Sequence, residues 1–299
     1  MIIYDLKNKA ECSLPENSAA ALGNFDGVHI GHRRLFDALG HDRPRAVFTF
    51  SDLRRPGDRS VLCEVDERLE LIAQCGVSYA VLVPFEEVRG LSPEQFCDML
   101  CGSLKISRAV CGFNFTFGAG GRGSADTLCR LMEERGAEAV VVPPVTLGGE
   151  TVSSTAIRRL LLEGRPERAA EMLGRNHFVR FPVIHGRELG RTIGVPTINQ
   201  QFPENALVPR YGVYSARVRL GDRFYPGVCN VGVRPTVSGK DENEPFAETH
   251  IIGFSGWLYG ESVRVEFIRY LRPEIKFPSI DELKAQILKD IGSAKEDLT

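Results

Sequence analysis

The chain has 299 residues, 43% apolar and 25% charged, which describes a globular protein of about two domains and excludes a disordered or fibrous chain. Lys plus Arg total 37 against 39 Asp plus Glu, so the net charge of −2 argues against a nucleic-acid or anionic-membrane surface. No apolar run reaches the roughly 18 residues that cross a bilayer, and the first residues lack the apolar stretch of a signal peptide, which predicts a cytoplasmic protein.

Strand and helix alternate through the first half. Residues 19–25 (AAALGNF) predict a buried strand, 33–39 (RRLFDAL) a helix, 45–50 (RAVFTF) a strand, 66–75 (DERLELIAQC) a helix and 79–83 (YAVLV) a strand. A helix over 92–101 opens with Ser92 as N-cap and Pro93 in its first position. A strand at 108–111, a helix at 125–135 and a strand at 137–142 follow. This alternation predicts a parallel sheet covered on both faces. The last helical pattern of this half is RPERAAEML at 165–173. From about residue 180 the runs become short, turn-rich and alternating (VYSARVRL, RFYPGVCNVG, AETHIIGF, SVRVEFIRYL), which predicts antiparallel β closed into a barrel. Residues 279–291 predict a final helix, with Ser279 as N-cap and Glu282 three residues on. The predicted domains are 1–178 and 179–299. Eight cysteines, none spaced as CxxC, predict packed thiols and no zinc ribbon.

Three segments of the first half carry chemistry. GNFDGVHIGH at 23–32 joins a strand to a helix, and its glycines allow a tight turn and close ligand approach. His29 and His32 share the first helical turn, where N–H groups and the helix dipole favour a polyphosphate. The alternative is that both histidines only cap or pack. CGFNFTFGAGGRG at 111–123 is either a surface loop or a loop that bends around a planar ligand, with Asn114 between two phenylalanines. VSSTAIR at 152–158 places Ser153, Ser154 and Thr155 at a helix start and Arg158 one turn on, which fits a simple cap or a phosphate site.

In the second half, GRELGRTIGVPTIN at 186–199 sets Thr197 and Asn199 on one face of an extended segment. Two oxygen ligands so spaced fit Mg²⁺ or an ordinary polar turn. Glu248 opens an apolar strand, as an edge charge or as a general base for a hydroxyl nucleophile.

Taken together, these motifs resemble the bacterial bifunctional riboflavin kinase/FAD synthetase family over nearly the whole chain. The first half is similar to the family's adenylyltransferase in GxFDGxHxGH, GxNF-x-FG and SST-xx-R, in that order. The second half is similar to its kinase in G-R-T-x-G-x-P-T-x-N at 190–199, NxGxRPT at 230–236, Glu248, LYG at 258–260 and R-x-E-x-KF at 272–277. The resemblance implies an α/β + β architecture. In that architecture a Rossmann-like nucleotidyltransferase sheet would precede a six-stranded antiparallel barrel with a terminal helix. It implies riboflavin, FMN and ATP as partners, with no nucleic acid and no membrane. Gly23, Asn24, Phe25, Asp26, Asn114, Ser154, Thr155, Arg158 and Gly190 would bind nucleotide or flavin. His29 and His32 would act in adenylyl transfer, Thr197 and Asn199 would hold Mg²⁺, and Glu248 would activate the riboflavin hydroxyl. One departure stands out. The family carries Asp-Pro-His-Pro where this chain reads TFSDLR at 49–54, which motivates the alternative of a riboflavin kinase with a binding-only first domain. A tRNA-charging enzyme also uses HxGH elements, but the chain has no KMSKS-like loop.

Overall fold

The computed structural model describes residues 1–8, 13–52, 60–186, 190, 193–233 and 244–298. Contacts divide the chain into two compact units, Met1–Ser154 and Thr155–Thr299. The β-pattern of the sequence changes later, near residue 178, because two helices precede the first strand of the second unit.

In the first unit the order is β1 (Ile2–Asp5), β2 (Ser18–Leu22), α1 (Ile30–Asp37), β3 (Arg45–Phe50), α2 (Val65–Gln74), β4 (Tyr79–Val83), α3 (Phe85–Val88), α4 (Pro93–Asp98) and β5 (Ile106–Gly112). A short ribbon of β6 (Thr116–Phe117) and β7 (Gly123–Ser124) leads to α5 (Ala125–Glu133) and β8 (Glu138–Val142). The ribbon β9 (Thr146–Leu147) and β10 (Glu150–Thr151) ends the unit. The six main strands form one sheet in the order β1-β4-β3-β2-β5-β8, and every neighbouring pair is parallel. Both faces are buried, as parallel strands with helical crossovers require. Ala20, Leu22, Ala46, Phe48, Val81 and Cys111 pack with Phe96, Leu100, Leu128 and Met132 on one side. Ala19, Ala21, Val47, Ala80 and Val110 alternate with them and are as deeply buried.

Local signals set the ends of these elements. Ser92 and Gln95 form a reciprocal capping box on α4, whose Pro93 stands in the first turn. The helix then widens into a π turn over Met99–Ser103, short of the regular helix expected to residue 101. The strand expected over 19–25 ends at Leu22, because the chain turns left-handed at Phe25. The sequence reading missed β1. Its Ile2 and Ile3 are exposed on an edge strand, so no alternating pattern marks it.

The second unit begins within α6 (Ser154–Leu162), and α6 and α7 (Pro166–Leu173) precede β11 (His177–Ile184), β12 (Thr197–Gln201), β13 (Gly212–Leu220), β14 (Arg223–Val233), β15 (Pro245–Ile251), β16 (Ser262–Arg272) and α8 (Ile280–Glu296). The strands close a barrel in the order β11-β12-β15-β14-β13-β16, antiparallel at every seam. Its interior holds Val179, Phe181, Tyr214, Ala216, Val218, Cys229, Val231, Ala247, Val265 and Phe267. Ser279 caps α8 by accepting from Glu282 N at 3.2 Å. That helix lies on the outside of β13 and β14, where Ala294 meets Val213 and Val228. Arg272 holds it through Asp290, with Nη2–Oδ2 at 2.8 Å and Asp290 only 5% exposed. Asp290→Ala would leave that guanidinium without its buried partner, and the barrel is expected to lose about 3 kcal/mol. A urea titration of the variant against the parent measures this.

All seven described cysteines are thiols, and Cys63, Cys97, Cys111 and Cys229 are buried; Cys12 lies outside the described residues. Burial pushes the Cys97, Cys111 and Cys229 thiols up to about 12, which suits packing better than reactivity. No described helix is long and apolar enough to cross a membrane.

Candidate active sites

The first site lies where the order of the parallel sheet reverses. From β2 the sheet runs to β3 on one side and β5 on the other. Open α/β sheets bind ligands in the crevice beyond the carboxyl ends of such strands. The two loops leaving this crevice, after β2 and after β5, are the first two segments singled out in the sequence.

The loop after β2 is strained. Phe25, Gly27 and Val28 have φ of 53°, 77° and 43°. For a β-branched residue such as Val28 that conformation persists only when surrounding contacts impose it. Leu62 N donates to Asp26 Oδ1 at 2.9 Å, and Ser154 Oγ donates to the Asp26 carbonyl at 2.8 Å. Gly27 N donates to Cys63 Sγ at 3.3 Å. Arg68 Nη1 at 3.0 Å and Thr49 Oγ1 at 3.3 Å both donate to the Asn24 carbonyl. The Phe25 ring is buried, against Phe36 and the edge of His32. It supports the histidine from below.

This loop delivers His29 as the N-cap of α1, with Nδ1 accepting from His32 N at 3.2 Å. A neutral ring that accepts at Nδ1 carries its proton on Nε2, which is left to donate outward. The His29 and His32 rings stack with centroids 3.5 Å apart. Burial lowers His29 to about 4. Enclosure, with lesser contributions from His29 and Arg68, holds His32 well below the ordinary histidine value. Both rings are therefore neutral near pH 7. His32 Nδ1 is enclosed and has no hydrogen-bond partner among the described residues, the kind of orphaned atom a ligand satisfies.

The depressed His29 value has a consequence for stability. The unfolded chain takes up the His29 proton near 6.5, and the folded chain does so near 4. Folding therefore weakens as pH falls from about 6.5 towards 4, and is at full strength above that window. His29→Asn keeps an N-cap acceptor and removes the titration. Thermal melts at pH 7 and pH 4.5 are expected to show a smaller acid-induced drop in that variant than in the parent.

The loop after β5 is pinned by Phe115 and Phe117, which stack on each other and reach the core. Phe113 and Asn114 are left exposed. Ser154 begins α6; Thr155, exposed, and Arg158, half-buried, follow on that helix within the second unit. The structure thus gathers Gly23, Asn24, Phe25, Asp26, His29, His32 and Ser154 at one loop, with Asn114 on the other loop of the same crevice. Leu62, Cys63 and Arg68, which brace that loop, were not picked out in the sequence. Arg68 did leave a trace, as a charge within the apolar i, i+3, i+4, i+7 stripe Val65, Arg68, Leu69, Ile72 of α2.

The second site is on the outside of the barrel. Along β15, Ala247, Thr249 and Ile251 are buried, so Glu248 and His250 point outward. Thr197 and Asn199 do so from β12, opposite His250 and Glu248 respectively. Asn230 flanks Glu248 from β14. Thr197 Oγ1 donates to Glu248 Oε1 at 2.7 Å, and Asn230 Nδ2 donates to Glu274 Oε1 at 3.0 Å. A Cβ on Gly186 would collide with the Asn199 carboxamide, and one on Gly190 with the Val195 carbonyl, 3.4 Å from Thr197 Oγ1. Glycine is needed there because the chain passes directly over the two oxygen donors. Hydroxyl, amide and carboxylate oxygens make a hard, oxygen-only set that fits Mg²⁺. Arg187, Glu188, Leu189, Arg191, Thr192 and the Arg234-Pro235-Thr236 end of NxGxRPT lie outside the described residues, as do Leu53 and Arg54.

Family comparison matches residues 12–156 to FAD synthetase and residues 173–298 to riboflavin kinase. The chain is 34% identical over 285 residues to the bifunctional riboflavin kinase/FMN adenylyltransferase of Bacillus subtilis (strain 168), covering 91% of this chain and 90% of that protein. The chain belongs to the bifunctional riboflavin kinase/FMN adenylyltransferase family. The Escherichia coli (strain K12) member is also 34% identical, over 94% of this chain and 93% of its own. A crystal structure described as a macrolide-efflux protein from Streptococcus pneumoniae superimposes with a TM-score of 0.88 at 29% identity, covering 99% of each chain. Both family halves are present, and the FAD synthetase match runs two residues past the boundary of the first unit, into the SST-xx-R segment. At the departure from the family pattern, Thr49 donates to the Asn24 carbonyl and the Phe50 carbonyl accepts from Arg68. The segment 49–50 therefore braces the His29 loop.

Proposed function

We propose that the barrel phosphorylates riboflavin and the α/β unit adenylylates the product. In the first reaction the riboflavin 5′-hydroxyl attacks the γ-phosphorus of ATP, giving FMN and ADP. In the second a phosphate oxygen of FMN attacks the α-phosphorus of ATP, giving FAD and pyrophosphate. The observation that carries this reading is the Thr197–Glu248 pair on the outer barrel face, beside Asn199 and under the Gly186 backbone.

An alcohol must lose its proton to attack, so the first reaction needs a base, and Glu248 supplies it. Thr197 donates to Oε1 and thereby orients the carboxylate, leaving Oε2 for the substrate hydroxyl. Thr197 and Asn199 would hold Mg²⁺, which when bound supplies positive charge to the phosphate oxygens. Gly190 shapes the crossing that leaves room for those phosphates. The FMN phosphate is already anionic, so the second reaction needs positioning and charge stabilisation and no base. His29 Nε2–H and the N-terminal N–H groups of α1 donate to ATP phosphates, with His32 stacked behind. Ser154, whose hydroxyl donates to the Asp26 carbonyl, serves the same phosphates, and the family motif assigns Thr155 and Arg158 to phosphate binding. Gly23, Asn24, Phe25 and Asp26 form the loop beneath them, and Asn114 contacts nucleotide or flavin. The cytoplasm supplies ATP and keeps thiols reduced, which suits the thiol-rich first unit.

One incubation tests the assignment: pure protein with riboflavin, ATP and Mg²⁺, resolved by chromatography. FMN appears first and FAD follows. FMN with no FAD would reduce the chain to a riboflavin kinase, and no product at all would remove both assignments.

A further inference from the structure

We propose that Arg68 is a positioning residue for adenylyl transfer, holding the carbonyl ends of β2 and β3 so that the left-handed turn at residues 25–28 presents His29 and His32. The inference rests on the adenylyl-transfer reading of the first unit. Arg68 is fully buried, in a stripe of α2 whose other members are apolar. A buried guanidinium is costly unless its donors are used and its charge is matched. Here both terminal nitrogens of the fork are used, one on the loop and one on β3, while Nε has no hydrogen-bond partner among the described residues. Nη1 donates to the Asn24 carbonyl at 3.0 Å, and Nη2 donates to the Phe50 carbonyl. Asn24 immediately precedes the turn, and Phe50 ends β3. The two strands pair in parallel, so one planar group spans the gap between their carboxyl ends.

The same short stretch of chain supplies the other braces. Leu62 N holds the Asp26 carboxylate and Cys63 Sγ takes the Gly27 N–H. Asp26, Cys63 and Glu64 lie near enough to Arg68 to favour its charge. Residues 62–68 therefore act as a clamp on the stretch 24–27, holding residues 24, 26 and 27 directly. Arg68 meets Asn24 only at its backbone carbonyl and is given no contact with substrate. Its effect passes through the backbone of the loop to the two histidines, so it falls on the orientation of the donors in the transition state, with ATP binding in the ground state little changed.

The test uses Arg68→Met, which removes both donors and keeps the apolar stem, and Arg68→Lys, which keeps the charge and at most one of the bonds. FMN-to-FAD turnover and riboflavin-to-FMN turnover are measured on each full-length variant at 15 °C. For Arg68→Met the FAD-forming kcat is expected to fall about a hundredfold, with KM for ATP within about threefold of the parent. Arg68→Lys should recover part of the loss, and FMN formation should stay within about twofold for both. A Met variant whose FAD-forming kcat stays within about threefold overturns the proposal. So does a loss confined to KM, or one that vanishes on cooling from 30 °C to 15 °C, which would mark a purely structural arginine. A parent protein that forms no FAD from FMN overturns the adenylyl-transfer reading and this proposal with it.

Discussion

Glu248→Gln is expected to lower FMN formation from riboflavin by about a thousandfold while leaving FAD formation from supplied FMN unchanged. The substitution is chosen for what it preserves. A glutamine carbonyl still accepts from Thr197 Oγ1, so the 2.7 Å contact and the register of β12 against β15 survive. What is lost is the carboxylate's negative charge and with it the capacity to take a proton. The reacting alcohol then attacks with its proton in place, and general-base catalysis of this kind contributes roughly 10²–10⁴ in rate. Because the side chain faces outward from the barrel, no core packing is disturbed. Chromatography of the two half-reactions reads the result. Equal loss in both would mean that the two activities share one site.

The complementary lesion is His29→Asn. FAD formation is expected to fall about 10²–10³-fold, the scale on which one preorganised donor to a developing negative charge contributes, while FMN formation continues at the parent rate. Asparagine still caps α1, so the first turn persists and its N–H groups still point at the phosphates. What disappears is the Nε2–H and the ring that stacks on His32 at 3.5 Å. His32→Asn should act more weakly on rate and more strongly on stability, since His32 also supports the Phe25 edge contact. Measuring both turnover numbers on each variant separates the two effects. A His29→Asn protein that makes FAD at the parent rate would remove this histidine from the chemistry.

These two lesions show unequal legibility. The residues themselves were readable: glycines at 23, 27 and 31, HxGH, Thr197 with Asn199, and Glu248 all sit in local patterns a few residues long. Period-2 and period-3.6 hydrophobicity likewise placed most strands and helices, because burial of one face is written in the order of side chains. Where a stretch is governed by something other than burial, the reading slipped. The predicted strand over 19–25 ran three residues past Leu22, since backbone dihedrals at Phe25 and Val28 leave no hydrophobic signature. Edge strand β1 escaped for the opposite reason, its isoleucines being exposed.

By itself, then, the sequence determined most of the succession of elements, the change from alternating α/β to antiparallel β, and the short motifs that assign each half to its chemistry. Tertiary structure alone decided which distant residues meet. Cys63 and Arg68 lie 36 and 44 positions from the residues they hold, and nothing in their spacing announces it. It also decided that the Thr197–Glu248 pair, 51 residues apart, stands on the outer face of the barrel, because that depends on closure and register, which pair strands across the whole unit. Side-chain periodicity is a local property of the chain, whereas a hydrogen bond between remote segments exists only once burial has brought their backbones within about 3 Å of each other's polar atoms.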